Sequence, residues 1–76
     1  MSKIEAMRAA LSATAIEALT LAGSENQGYV PTGHAVTPAV MVEFRKAGVV
    51  GRRDGLSMIG ALLAGKLIRE YEAAAL

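Results

Sequence analysis

A chain of 76 residues with 53% hydrophobic residues, no cysteine and one histidine has room for one core and not two, since domains usually run to about 100 residues. The same counts remove a disulfide framework and a His/Cys zinc site, so stability has to come from apolar packing, including packing against a second copy of the chain. A formal net charge of +1 sets no strong long-range field, yet Arg45, Lys46, Arg52 and Arg53 gather within one short stretch.

From Ser2 to Ala22 the residues Ile4, Met7, Leu11, Ala15, Ala18 and Ala22 recur at three- and four-residue steps, with Ile16 and Leu19 widening the stripe. This period predicts one long amphipathic helix, with Ser2 as N-cap, Glu5 at its capping-box position and Gly23 as the stop. Glu5, Arg8 and Glu17 interrupt the apolar run, which argues against a secretory signal and for a cytoplasmic location. Between Ser24 and Val36, Gly28, Pro31 and Gly33 stand among Ser24, Asn26, Gln27 and Thr32, a loop with a brief extended piece at Tyr29–Val30.

Thr37-Pro38 supplies an N-cap followed by proline at the first helical position, where its missing N–H costs nothing. The helix it opens carries Val40, Met41, Phe44 and Ala47 inward and ends at Gly48, where a left-handed residue is wanted. Val49–Val50, then Gly51-Arg52-Arg53-Asp54-Gly55, then Leu56 reads as two short extended pieces around an Asp-Gly turn, either a minimal hairpin or an extended turn. Ser57 caps a final helix with Ile59, Leu63 and Leu67 on its stripe, broadened by Leu62, Ile68 and Tyr71, running to about Ala73. The weakly charged stretch Leu56–Gly65 is far short of the roughly 20 apolar residues a membrane span needs. The fold class expected is therefore mainly α: a small helical domain over residues 1–76 with at most a minimal β-hairpin.

Catalytic constellations are missing from the pattern. Gly60-Ala61-Leu62-Leu63-Ala64-Gly65-Lys66-Leu67 imitates phosphate-binding P-loop spacing, but Leu67 replaces the required Ser or Thr and no strand precedes it. Gly60 and Gly65 read instead as points of close approach for the first helix. His34 has no second imidazole or thiol to share a metal. Ser24, Thr32, His34 and Thr37 lie close in sequence without a fixed base or oxyanion site, and the seven carboxylates are dispersed. The expectation is a non-enzyme with no metal and no cofactor.

The segment Thr37–Tyr71 resembles the second half of winged helix-turn-helix domains of small bacterial and phage regulators. The residues that carry the resemblance are Phe44-Arg45-Lys46-Ala47-Gly48-Val49-Val50, a helix ending at glycine before a hydrophobic strand; Arg52-Arg53-Asp54-Gly55, a basic wing; and Leu56-Ser57-Met58-Ile59-Gly60, the opening of a last helix. The Gly- and Pro-rich loop stands where the first helix of the pair would be. The resemblance implies that the helix at Pro38 is a recognition helix, that Arg45, Lys46, Arg52 and Arg53 contact nucleic acid, and that the protein is a winged-helix transcription regulator on double-stranded DNA. The outer face of that helix carries Ala39 and Val42, which suit thymine methyls or a protein contact. A second role is thus left open, an inhibitor or adaptor of phage or mobile-element type that grips a host or phage protein. With two broad apolar helices on so short a chain, a homodimer is expected.

Overall fold

The computed structural model describes residues 2–75 as four helices, α1 (Lys3–Ala9), α2 (Ala13–Ala22), α3 (Pro38–Ala47) and α4 (Met58–Ala74), with a 3-10 turn at Arg52–Asp54 ahead of the last. The long helix expected over Ser2–Ala22 is broken in two. Ser12 leaves the helical region (φ −69°, ψ 163°) and caps α2, its hydroxyl accepting from the Ala15 N–H at 3.2 Å. What drives the break comes from α3: the Ser12 N–H donates to Glu43 Oε1 at 3.0 Å and its hydroxyl to Oε2 at 2.9 Å. With its amide held by that carboxylate, Ser12 does not continue the helical ladder. Leu11 still enters the core, so the apolar stripe crosses the break without a fault in its period.

The start of α1, the stop of α2 and both ends of α3 follow the expected chemistry. Ser2 accepts from the Glu5 N–H, Gly23 is left-handed, and Thr37 accepts from the Val40 N–H at 3.2 Å with proline behind it. Beyond Ala47 the chain closes as a Schellman motif around left-handed Gly48, with the Val49 N–H on the Phe44 carbonyl and the Gly48 N–H on that of Arg45. Val49 is thereby turned straight into the core beside Phe44; both are fully buried. Leu19 and Leu63 complete the centre, with Leu11, Ala15, Ala18, Val40, Val50, Leu56, Ala61, Ala64 and Leu67 around it.

The hairpin contracts to one antiparallel bridge, Val50 with Leu56. A third segment joins from the α2–α3 loop: the Gly28 N–H donates to the Leu56 carbonyl and the Leu56 N–H to that of Tyr29, at 2.9 and 2.8 Å. Leu56 is therefore held from both sides. The turn is also not the Asp-Gly one. Arg53 (φ 64°) and Asp54 (φ 58°) take the left-handed conformations, whereas Gly55 is extended (φ −82°, ψ 147°). Gly55 serves an approach instead, since a Cβ there would lie 2.7 Å from the Gly28 carbonyl oxygen.

Ser57 caps α4 as expected, accepting from the Gly60 N–H at 3.0 Å while its hydroxyl donates to the Gly48 carbonyl at 2.7 Å. Gly60 and Gly65 do mark close approaches, but not to the first helix: a Cβ at Gly60 would run into the Val49 carbonyl, and one at Gly65 into the Glu25 side chain. Both lie inside α4 and are buried, so the P-loop-like spacing belongs to helix interior. Leu62 and Tyr71 face solvent rather than the core, because α1 and α2 cover one side of α4 and its residues from Arg69 onward are exposed. Among the described residues, no helix is long and apolar enough to cross a membrane.

Candidate nucleic-acid interface

Among the described residues, three bidentate or single ion pairs tie the surface together and bear on which cations remain available. Arg8 at the end of α1 grips Glu70 of α4 with two 2.9 Å bonds. Arg69 of α4 reaches Glu25 in the α2–α3 loop at 3.0 Å. Arg45, in the last turn of α3, grips Asp54 of the bend through Nε–Oδ1 at 2.8 Å and Nη2–Oδ2 at 2.9 Å. That side-chain hydrogen bonding holds the Asp54 carboxyl below its ordinary value and raises the Arg45 guanidinium, with direct charge attraction adding to both. The Arg8–Glu70 pair shifts its two members in the same directions for the same reason.

Of the four basic residues singled out from the sequence, Arg45 is thus engaged within the fold, and it acts by fixing the bend to α3. Lys46, Arg52 and Arg53 are exposed, and among the described residues none of them has a carboxylate within ion-pair distance. Arg52 and Arg53 sit at the tip of the bend, presented by the Val50–Leu56 bridge and by the Gly51 N–H bonded to the Gly55 carbonyl at 2.9 Å. Arg53 holds its left-handed conformation without being Gly or Asn, a placement that costs about 1 kcal/mol or more. Lys46 lies elsewhere, lining with Lys3 a shallow groove between α1 and the end of α3.

Ala39 and Val42 are exposed on the outer face of α3 as read from the sequence, Val42 at 44%. Val42 also borders an open hollow of 540 Å³ with Pro31, Val36 and Met41. The α2–α3 loop makes two turns, closed by the Tyr29 N–H on the Asn26 carbonyl and by the Val36 N–H on the Gly33 carbonyl, both at 3.1 Å, and the second carries His34, which is exposed. Ser24 and Thr37 both use their hydroxyl oxygens to accept backbone N–H groups, those of Asn26 and Val40. Among the described residues no cluster of His, Asp or Glu side chains converges as metal ligands.

A neighbour of the bend was not visible in the sequence. The docking of Gly28 and Tyr29 on Leu56 brings Gln27 to the same cleft that Arg52 and Arg53 line. Reading Tyr29–Val30 as extended was the available signal, but which segment it pairs with is a long-range matter that local pattern does not encode. No protein-family model matches the chain, and neither a curated protein nor a solved structure matches it.

Proposed function

We propose that the protein binds double-stranded DNA as a small regulator of winged-helix type, with the Arg52-Arg53 bend lying on the phosphate backbone and α3 beside it. The observation that carries this reading is the distribution of arginine partners. Arg8, Arg45 and Arg69 are each paired with a carboxylate, while the two at the tip of the bend are exposed and, among the described residues, unpaired. A surface evolved only for solubility has no reason to hold two adjacent like charges at a strained turn, whereas a polyanion offsets both the repulsion and the strain. The path of the chain supports the same reading: an extended segment after α2, a glycine-capped α3, and a short bridge around a basic bend leading into α4.

Phosphate contact is the main term. The outer face of α3 offers Ala39 and Val42, which can touch thymine methyls but form no hydrogen bonds to base edges, so sequence discrimination by α3 is weak. The test is a salt titration of binding to a DNA duplex. Arg52→Ala/Arg53→Ala is expected to weaken binding and to reduce the slope of log K against log salt by about 1.8, roughly 0.9 for each phosphate no longer neutralised. Absence of duplex binding at low salt removes the reading. In that event the hollow beside Val42, with Pro31, Val36 and Met41, favours the second role, capture of a protein partner by α3.

A further inference from the structure

The geometry points to a composite seat for one phosphate group of the nucleic-acid backbone, formed between the α2–α3 loop and the bend, with Gln27 as a ligand alongside Arg52 and Arg53. The natural ligand of this seat rests on the duplex-binding reading, but the shape of the cleft stands apart from it. The cleft has a volume of 500 Å³, and its lining includes Gln27, Gly28, Arg52, Arg53 and Gly55. Part of its wall is bare main chain beside Val30, Leu56 and Ser57, because Gly55 and Gly28 meet backbone to backbone and a Cβ on Gly55 would sit 3.1 Å from the Gly28 Cα. At the glycines a tetrahedral anion can therefore come close to the main chain, while the guanidinium groups of Arg52 and Arg53 and the side-chain amide of Gln27 supply N–H donors in the same cleft.

The surrounding charges are arranged in the same sense. Two carboxylates lie next to the cleft in sequence, Glu25 and Asp54, and each is held by an arginine, Arg69 and Arg45 respectively. Among the described residues no carboxylate lines the cleft. Asp54, the chain neighbour of Arg53, is thus engaged by Arg45, Glu25 is drawn to Arg69 of α4, and the formal charges of the residues described as lining the cleft are all positive. A neutral donor in such a place adds a hydrogen bond to an anion without adding a counterion contact. Gln27 is accordingly separable from the arginines by experiment: its loss weakens binding and leaves the salt slope alone.

The experiment has two arms on the full chain, each with wild type, Gln27→Ala and Arg52→Ala/Arg53→Ala; all three side chains are exposed, and circular dichroism confirms that the variants fold. In the first arm, inorganic phosphate is titrated at constant ionic strength against chloride and followed by amide chemical shifts. Saturable shifts at Gly28, Arg52, Arg53, Gly55 and the Gln27 side chain are expected, weakened in Gln27→Ala and abolished in the double variant. In the second arm, duplex affinity is expected to fall about fivefold in Gln27→Ala with the salt slope unchanged.

Duplex binding that depends on the arginines but ignores Gln27, with the cleft amides unmoved by phosphate, overturns the composite seat and leaves duplex binding standing. Phosphate in the cleft without duplex binding at low salt overturns the regulator reading and supports the seat as a receptor for a free phosphate group. Silence in both arms overturns both.

Discussion

The first turn of α4 and the bend before it both bring a glycine hard against another segment's backbone, yet they do so to opposite ends. Gly60 is buried and lets the helix settle on the Val49 carbonyl, next in the chain to the core residue Ala61. Gly55 lets the bend settle on Gly28, beneath a tip where Arg52 and Arg53 are exposed and Arg53 is held left-handed. One contact seals a core, the other shapes a surface. Stability and binding should therefore respond to different residues, and substitutions only a few positions apart can be used to separate them.

The largest effect is expected at Gly60→Ala. The added methyl would also lie 2.8 Å from the Val49 carbonyl carbon and 3.0 Å from the Ser57 Oγ that caps the helix. Its neighbour is main chain, not a flexible side chain, so α4 and the Val49–Val50 segment have to separate, with a cost of about 3 kcal/mol. For a domain of this size that is a drop of roughly 12–24 °C in thermal midpoint, measurable by circular dichroism. An unchanged midpoint would mean that the two segments are not in contact, and the opposition between core glycine and surface glycine would collapse.

How much of this could be read from the chain depends on whether the decisive interaction is local. Thr37-Pro38, Gly48 and Ser57 act within a few residues of themselves, and α3 and the start of α4 lie where those residues put them. The break at Ser12 depends on Glu43, which is 31 positions away, so a continuous apolar period gave no sign of it. The bend lies between these cases. Its position and exposed arginines followed from local composition, but the left-handed residues are Arg53 and Asp54, because Gly55 is committed to Gly28 by a contact across 27 positions. For the same reason Gln27 entered the candidate site only with the fold, and Arg45 was drawn out of direct contact by Asp54.

A smaller and opposite effect is expected at Arg53→Gly. Glycine takes φ 64° without the steric cost that arginine bears there, so the variant should gain stability by about 1 kcal/mol, offset in part by the extra freedom of glycine in the unfolded chain. Duplex affinity should fall at the same time, with the salt slope reduced by about 0.9. A rise in midpoint paired with a loss of binding identifies the bend as a place where the fold tolerates strain to present a charge. A fall in midpoint would show instead that the Arg53 side chain supports the fold, and the contrast with Gly60 would blur.

The smallest effect is expected on acidification, and it tests the Arg45–Asp54 tie. In the folded protein Asp54 and Glu70 both titrate below their ordinary values, principally because Arg45 and Arg8 donate hydrogen bonds to the charged carboxylates. Groups shifted this way contribute stability that is fully present above their unfolded pKa values, near 4, and lost as pH falls through the lower folded ones. Both pairs are solvent-exposed, so the loss is modest and further reduced by salt. The thermal midpoint should hold from neutral pH to about pH 5 and then decline. Asp54→Asn isolates one pair at neutral pH while keeping a residue that tolerates a left-handed backbone. It should lower the midpoint slightly, yet free Arg45 beside the cleft, so that duplex binding tightens and its salt slope steepens by about 0.9. Weaker binding in that variant would mean that the ion pair holds the bend in its binding shape, and that orientation outweighs the gain of one more cation.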